Sequence, residues 1–191
     1  MKSQYRNLAS ALLLLTLSSG LALAGTISLR GTLPLSEGDA NDTQAYTFAV
    51  TATATVVIQS YGYGGSSGAP GGKNLVGEVI PAGGFDPYLS LFAGTGPSAT
   101  FLASNDDGPC PPATPVAGNC ADSRLSLSLA AGNYTLVVAA FDNQSLAENS
   151  GAGVLGDGFV GLGNYDPLRT GNYAIDISAG GIDEIFRQGF E

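Results

Sequence analysis

Leu125-Ser126-Leu127-Ser128-Leu129-Ala130-Ala131-Gly132-Asn133-Tyr134-Thr135-Leu136-Val137-Val138 decides the fold. Leucine returns at every second position from 125 to 129, with serine between. Tyr134, Leu136 and Val138 then repeat the period. Successive side chains of a strand point to opposite faces, so this pattern describes strands with one apolar and one wet face. Ala131-Gly132-Asn133 sits between them and reads as a hairpin loop.

The same period runs outward in both directions. Tyr46, Phe48 and Val50 flank Thr47 and Ala49, and Val56 and Ile58 follow. Leu89 and Leu91 flank Ser90, while Tyr173, Ile175 and Ile177 alternate with Ala174, Asp176 and Ser178. No segment carries a sustained helical stripe, so little helix is expected. Sheets with one apolar face bury it against each other, which predicts an all-β, antiparallel sandwich. Gly94-Thr95-Gly96-Pro97 breaks the strand that holds Leu91. Two glycine-rich stretches, Gly62 to Gly72 and Ser150 to Gly163, read as surface loops. Gly65-Ser66-Ser67-Gly68 lacks the Lys and Ser/Thr arrangement of a phosphate-binding loop. There is no internal repeat of convincing length.

The ends differ from this body. Lys2 and Arg6 precede the apolar run Leu8 to Leu17, and Ala22-Leu23-Ala24 offers a small-residue cleavage site before Gly25. This is the pattern of a secretory signal over residues 1–24, too short to span a bilayer. It implies export to the periplasm, the cell surface or the extracellular space. The domain then covers residues 25–179. Residues 180–191 form a tail, Gly-Gly followed by a polar stretch bearing Ile185, Phe186 and Phe190, read as a sorting or docking segment. No later run is long and apolar enough to be a transmembrane segment.

All sixteen acidic residues follow the signal, against five basic ones: Arg30, Lys73, Arg124, Arg169 and Arg187. Such a field repels nucleic acid and attracts cations. The sequence has no His and no Trp. The missing His removes Ser-His-Asp and Cys-His catalysis and most zinc and other transition-metal sites. Cys110 and Cys120 are the only cysteines, and in an oxidising compartment they are expected to pair. The short loop they close is worth about 2–3 kcal/mol in a chain-entropy account.

Several motifs also stand in a distinctive order. Phe85-Asp86-Pro87-Tyr88-Leu89-Ser90-Leu91-Phe92 comes first, then Leu102-Ala103-Ser104-Asn105-Asp106-Asp107-Gly108. Asp122-Ser123-Arg124-Leu125, Ala131-Gly132-Asn133-Tyr134-Thr135-Leu136-Val137-Val138 and Gly171-Asn172-Tyr173-Ala174-Ile175 follow. This order resembles the bacterial pre-peptidase C-terminal domain and related uncharacterised secreted families, over roughly Thr43 to Ser178. The resemblance implies a jelly-roll-like sandwich of about eight or nine strands that accompanies secreted proteases or stands alone. No protease domain accompanies it in this sequence, so a maturation role beside a catalytic domain in the same chain is not expected. The ending also looks like the "IF-x-x-GFE" termini of some exported Gram-negative proteins.

The acidic turn Asn105-Asp106-Asp107-Gly108 is the leading site candidate. Calcium takes several oxygen ligands from carboxylates, amides and carbonyls, and the topology implied by the resemblance puts Asp86 and Asp122 near the same end. The competing reading is that these residues only make Asx-turn hydrogen bonds. Tyr61 and Tyr63 beside the Gly-rich loop either contact a saccharide or peptide or cap a strand end. The expected function is a non-catalytic exported domain that binds an extracellular polysaccharide, another polymer or a protein. A hydrolase using paired carboxylates and a structural surface component are the alternatives. The ligand and the oligomeric state are not written in the sequence.

Overall fold

The computed structural model describes residues 24–36, 38–62, 72–81, 84–111, 119–161, 170–180 and 182–188. The signal segment before Ala24 lies outside the described residues. Two antiparallel sheets form the body of the fold. The four-stranded sheet runs in the order β1 (Ala24–Thr32), β12 (Asn172–Gly180), β3 (Ala54–Tyr61), β10 (Arg124–Leu129). The five-stranded sheet runs β13 (Ile182–Gln188), β2 (Thr43–Val50), β11 (Gly132–Ala140), β6 (Pro87–Ala93), β7 (Thr100–Asn105). Two short ladders stand apart: β4 (Gly72–Lys73) with β5 (Val79–Ile80), and β8 (Gly108–Pro109) with β9 (Asn119–Cys120). The one α-helix among the described residues, α1 (Leu146–Ser150), has five residues.

The alternating residues form the core between the sheets. Tyr46, Phe48 and Val50, Leu89 and Leu91, and Tyr134, Leu136 and Val138 face inward from one sheet. Val56, Ile58, Leu125, Leu129, Tyr173, Ile175 and Ile177 face them from the other. The Tyr46 and Tyr173 hydroxyls, both deep in this core, lie 2.9 Å apart and satisfy each other across the sandwich. The expected sandwich is therefore the fold.

One expectation is corrected. Ala131-Gly132-Asn133 is not the loop of a hairpin. β10 pairs with β3, whereas β11 pairs with β2 and β6, so the turn carries the chain from one sheet to the other. The Tyr134 hydroxyl donates to the Ala130 carbonyl at 2.9 Å and pins this crossing. Both strands aim their apolar faces into one core only because they belong to opposite walls of it.

Both sheets are also covered on their outer faces. On the five-stranded sheet the cover is the segment 141–161. Ala147 and Leu155 pack with Ala99 on Ala45, Phe92 and Val137. Main-chain bonds sew it down: Leu155 N to Ala99 O at 2.8 Å, Gly156 N to Pro97 O at 2.7 Å, Phe101 N to Gly153 O at 3.0 Å. A Cβ on Gly153 would come 2.6 Å from the Ala147 Cα, so this glycine allows the helix to be approached closely. The stretch read as a surface loop from Ser150 is exposed at residues 150–152, 156 and 157, and it is held to the sheet by the buried Leu155 and these main-chain bonds. The cover of the four-stranded sheet is the β4–β5 hairpin. Cys110 and Cys120 are bonded, with sulfurs 2.02 Å apart, beside the β8–β9 ladder.

Candidate functional site

The outer face of the four-stranded sheet carries a polar row in register: Ser28 on β1, Asp176 on β12, Gln59 on β3 and Arg124 on β10. Alternation predicts a wet face here. Asp176 is instead 1% exposed. Its carboxylate accepts from the Ser28 hydroxyl, from the Tyr61 hydroxyl at 2.9 Å and from the Leu75 N–H at 2.7 Å. A buried carboxylate is tolerated when donors surround it, and here they come from three elements. Burial, followed by the hydrogen bond to Asp176, raises the Tyr61 phenol well above its ordinary pKa.

The Leu75 bond ties the β4–β5 hairpin to the sheet, and the hairpin is braced twice more. Asn74 is buried, and its side-chain oxygen accepts from Glu78 N at 2.7 Å while its amide donates to the Glu78 carboxylate at 3.1 Å. Gly77 takes φ 87°, the left-handed conformation that closes this turn. Arg30 on β1 reaches Glu78 at 2.8 Å. The Asn74 hydrogen bond, then Arg30, lowers the Glu78 carboxyl below its ordinary pKa. Ile80 packs inward with Tyr61 and Ala174.

This bracing holds apolar side chains in water. Leu75, Val76 and Val79 are 55%, 56% and 72% exposed. They are three of the five large apolar side chains that stand exposed among the described residues. Ile80 and Pro81, at the end of the hairpin, line a cleft of about 340 Å³ together with Arg30, Thr32, Asn172 and Tyr173. The Thr32 hydroxyl donates to the Asn172 side-chain oxygen at 2.8 Å on its wall. A hairpin with exposed apolar side chains that also walls a cleft with a few fixed polar groups has the general form of a binding surface.

The expected calcium residues lie elsewhere. Ser123 Oγ donates to the carbonyls of Pro87 and Asn105, the former 2.5 Å and the latter 2.8 Å away, so Asp86, Asn105 and Asp122 are gathered toward one end of the sandwich. The side-chain oxygens of Asn105 and Asp122 accept from the chain itself, whereas Asp86 Oδ1 is buried with no hydrogen-bond partner among the described residues. Asp122 is buried and accepts from Ser60 Oγ at 2.9 Å and Gly62 N at 2.7 Å. The Asn105 side-chain oxygen accepts from Arg124 N at 3.0 Å. Asp86 is half-buried, and its carbonyl accepts from Phe141 N at 2.9 Å. Asp106 is half-buried and Asp107 exposed. Among the described residues no group of three or more Asp, Glu, Cys or His side chains comes together to hold a metal ion. The Asn105 bond spans 19 residues to Arg124 N, so it is a tie between two strands and not the local Asx turn expected from the sequence.

Tyr61, read as either a ligand contact or a strand-end cap, is the last residue of β3, is 1% exposed and spends its hydroxyl on Asp176, so it offers no platform. Tyr63 lies outside the described residues. Sequence reasoning missed Asp176 and the hairpin. The available signal was Leu75-Val76-Gly77, apolar residues against a glycine next to a stretch otherwise poor in them. No helix among the described residues is long and apolar enough to cross a membrane. No family model matches the chain, and comparison with curated proteins returns no match.

Proposed function

We propose that the chain is a non-catalytic binding module of an exported protein, and that it holds an extracellular polymer or a protein at the β4–β5 hairpin and the cleft it walls. One observation carries this reading: Leu75, Val76 and Val79 are kept in water by a hairpin whose base is fixed through buried Asp176 and Asn74. A surface already ordered before contact loses little conformational entropy on binding. Clustered apolar exposure on a soluble domain marks contact sites more often than scattered exposure does. The order of motifs supports kinship with the pre-peptidase C-terminal domain, since they fall on β6, β7, β11 and β12. This reading does not require calcium.

The test is retention of the purified protein on immobilised polysaccharide and peptide arrays, with product analysis alongside. The wild type is expected to be retained without turnover. Leu75→Ser with Val76→Ser and Val79→Ser is expected to lose retention and keep its melting temperature. Turnover would replace the module by a hydrolase. Retention equal to wild type in the triple variant would remove the hairpin from the contact.

A further inference from the structure

β12 ends at Gly180 and β13 begins at Ile182, so one residue separates an inner strand of one sheet from an edge strand of the other. From this juxtaposition we infer that β13 is an exchangeable strand, and that the edge of β2 accepts the same segment, Ile182–Gln188, from a second copy of the chain.

β2 is a core strand: Ala45, Tyr46, Thr47, Phe48 and Val50 are all buried. Its far side pairs with β11 from Thr43 to Val50. Without β13 its near side would present a row of unpaired main-chain groups, which readily captures another strand. The register is already defined, from Ile182 opposite Val50 to Gln188 opposite Ala45. Among the described residues no strand follows β13, so releasing it unpairs β2 alone. Its ladder is irregular, stepping from Asp183 opposite Ala49 to Ile185 opposite Phe48 and passing over Glu184. A short connection between elements on two walls favours exchange, because opening it lets the chain run straight. In the exchanged form residues 172–188 continue as one extended segment, and each copy's β13 completes the partner's five-stranded sheet about a two-fold axis.

The second copy is the occupant because it carries Ile182–Gln188, the segment that pairs with this edge of β2 in the closed form. The balance is set by concentration, since the chain's own strand competes with an effective concentration in the millimolar range.

The experiment refolds the purified protein at ~10 µM and at ~1 mM, then sizes it by chromatography with light scattering. A dimer is expected at the higher concentration, at least about tenfold above its fraction at the lower. Nothing lies within 4 Å of a Cβ built on Gly180, so Gly180→Val fits, and its preference for extended backbone is expected to raise the dimer fraction. Inserting Gly-Ser-Gly-Ser after Gly181 lengthens the connection and is expected to return the protein to monomer with the strand still present. Monomer at both concentrations in the wild type and in Gly180→Val would overturn the inference. So would a dimer that persists after the insertion or after removal of residues 182–191.

Discussion

The two sheets are covered by different materials. The cover of the five-stranded sheet is apolar: Ala147 and Leu155 set into Phe92, Val137 and Ala45. The cover of the four-stranded sheet has only a small apolar contact, Ile80 on Tyr61 and Ala174, and is fastened by Asp176, Asn74 and the Arg30–Glu78 pair. An apolar cover turns most of its hydrophobic side chains inward, and of its large ones Leu146 alone is exposed among the described residues. A polar fastening frees them, and Leu75, Val76 and Val79 point outward. Burial is non-directional and rewards area, whereas hydrogen bonds reward position. The first cover is held mainly by burial and the second mainly by hydrogen bonds and an ion pair.

The largest effect is expected in the apolar cover. Leu155→Ala removes a buried side chain whose surroundings are sewn down by main-chain bonds and collapse poorly. It should cost about 2–5 kcal/mol of global stability by chemical denaturation. A loss under about 0.5 kcal/mol, the size of an ordinary surface change, would erase the distinction between the covers.

Asp176→Ala comes next. It strands two hydroxyls and the Leu75 N–H, each orphaned donor costing about 1–3 kcal/mol where water cannot reach it. Opening the hairpin admits water, so the global loss should be smaller than for Leu155→Ala. Amide exchange should accelerate over residues 74–80 and stay unchanged in β2 and β11. Uniform acceleration would show that Asp176 supports the sandwich rather than the hairpin.

These covers mark where the sequence stopped being legible. Alternation states which residues of a strand share a face, and Val56, Ile58, Leu136 and Ile175 are inward as read. It does not state which wall of the sandwich a strand joins, so the β10–β11 crossing reads like a hairpin. Nor does it show what lies on the outer face. Asp176 looks solvated because Leu75, which covers it, stands 101 residues away in the chain. Asn105 and Asp122 were recognisable as polar turn residues, but their choice between a cation and Arg124 N or Gly62 N depends on neighbours brought in by the fold.

The smallest effect comes from a third buried acid, Asp42, at the margin of the apolar cover. It is 7% exposed. Oδ2 accepts from Ser36 N at 2.7 Å, while Oδ1 has no hydrogen-bond partner among the described residues. Where Asp176 is ringed by donors, Asp42 is not, and burial raises its pKa above the ordinary value of 3.8, against the pull of the Ser36 N–H. A carboxyl whose folded pKa exceeds its unfolded one binds protons more tightly in the folded state. Its contribution to stability is full below the unfolded pKa and is lost as pH rises through the folded value. Asp42→Asn cannot ionise, so the wild type should compare best with it in acid and progressively worse toward neutral pH. Each kcal/mol of that change corresponds to about 2–4 °C in melting temperature for a chain of this size. A melting difference that is flat from about pH 3 to pH 7, across the range above the ordinary carboxyl value, would mean that Asp42 is solvated and that the margin of the apolar cover is open to water.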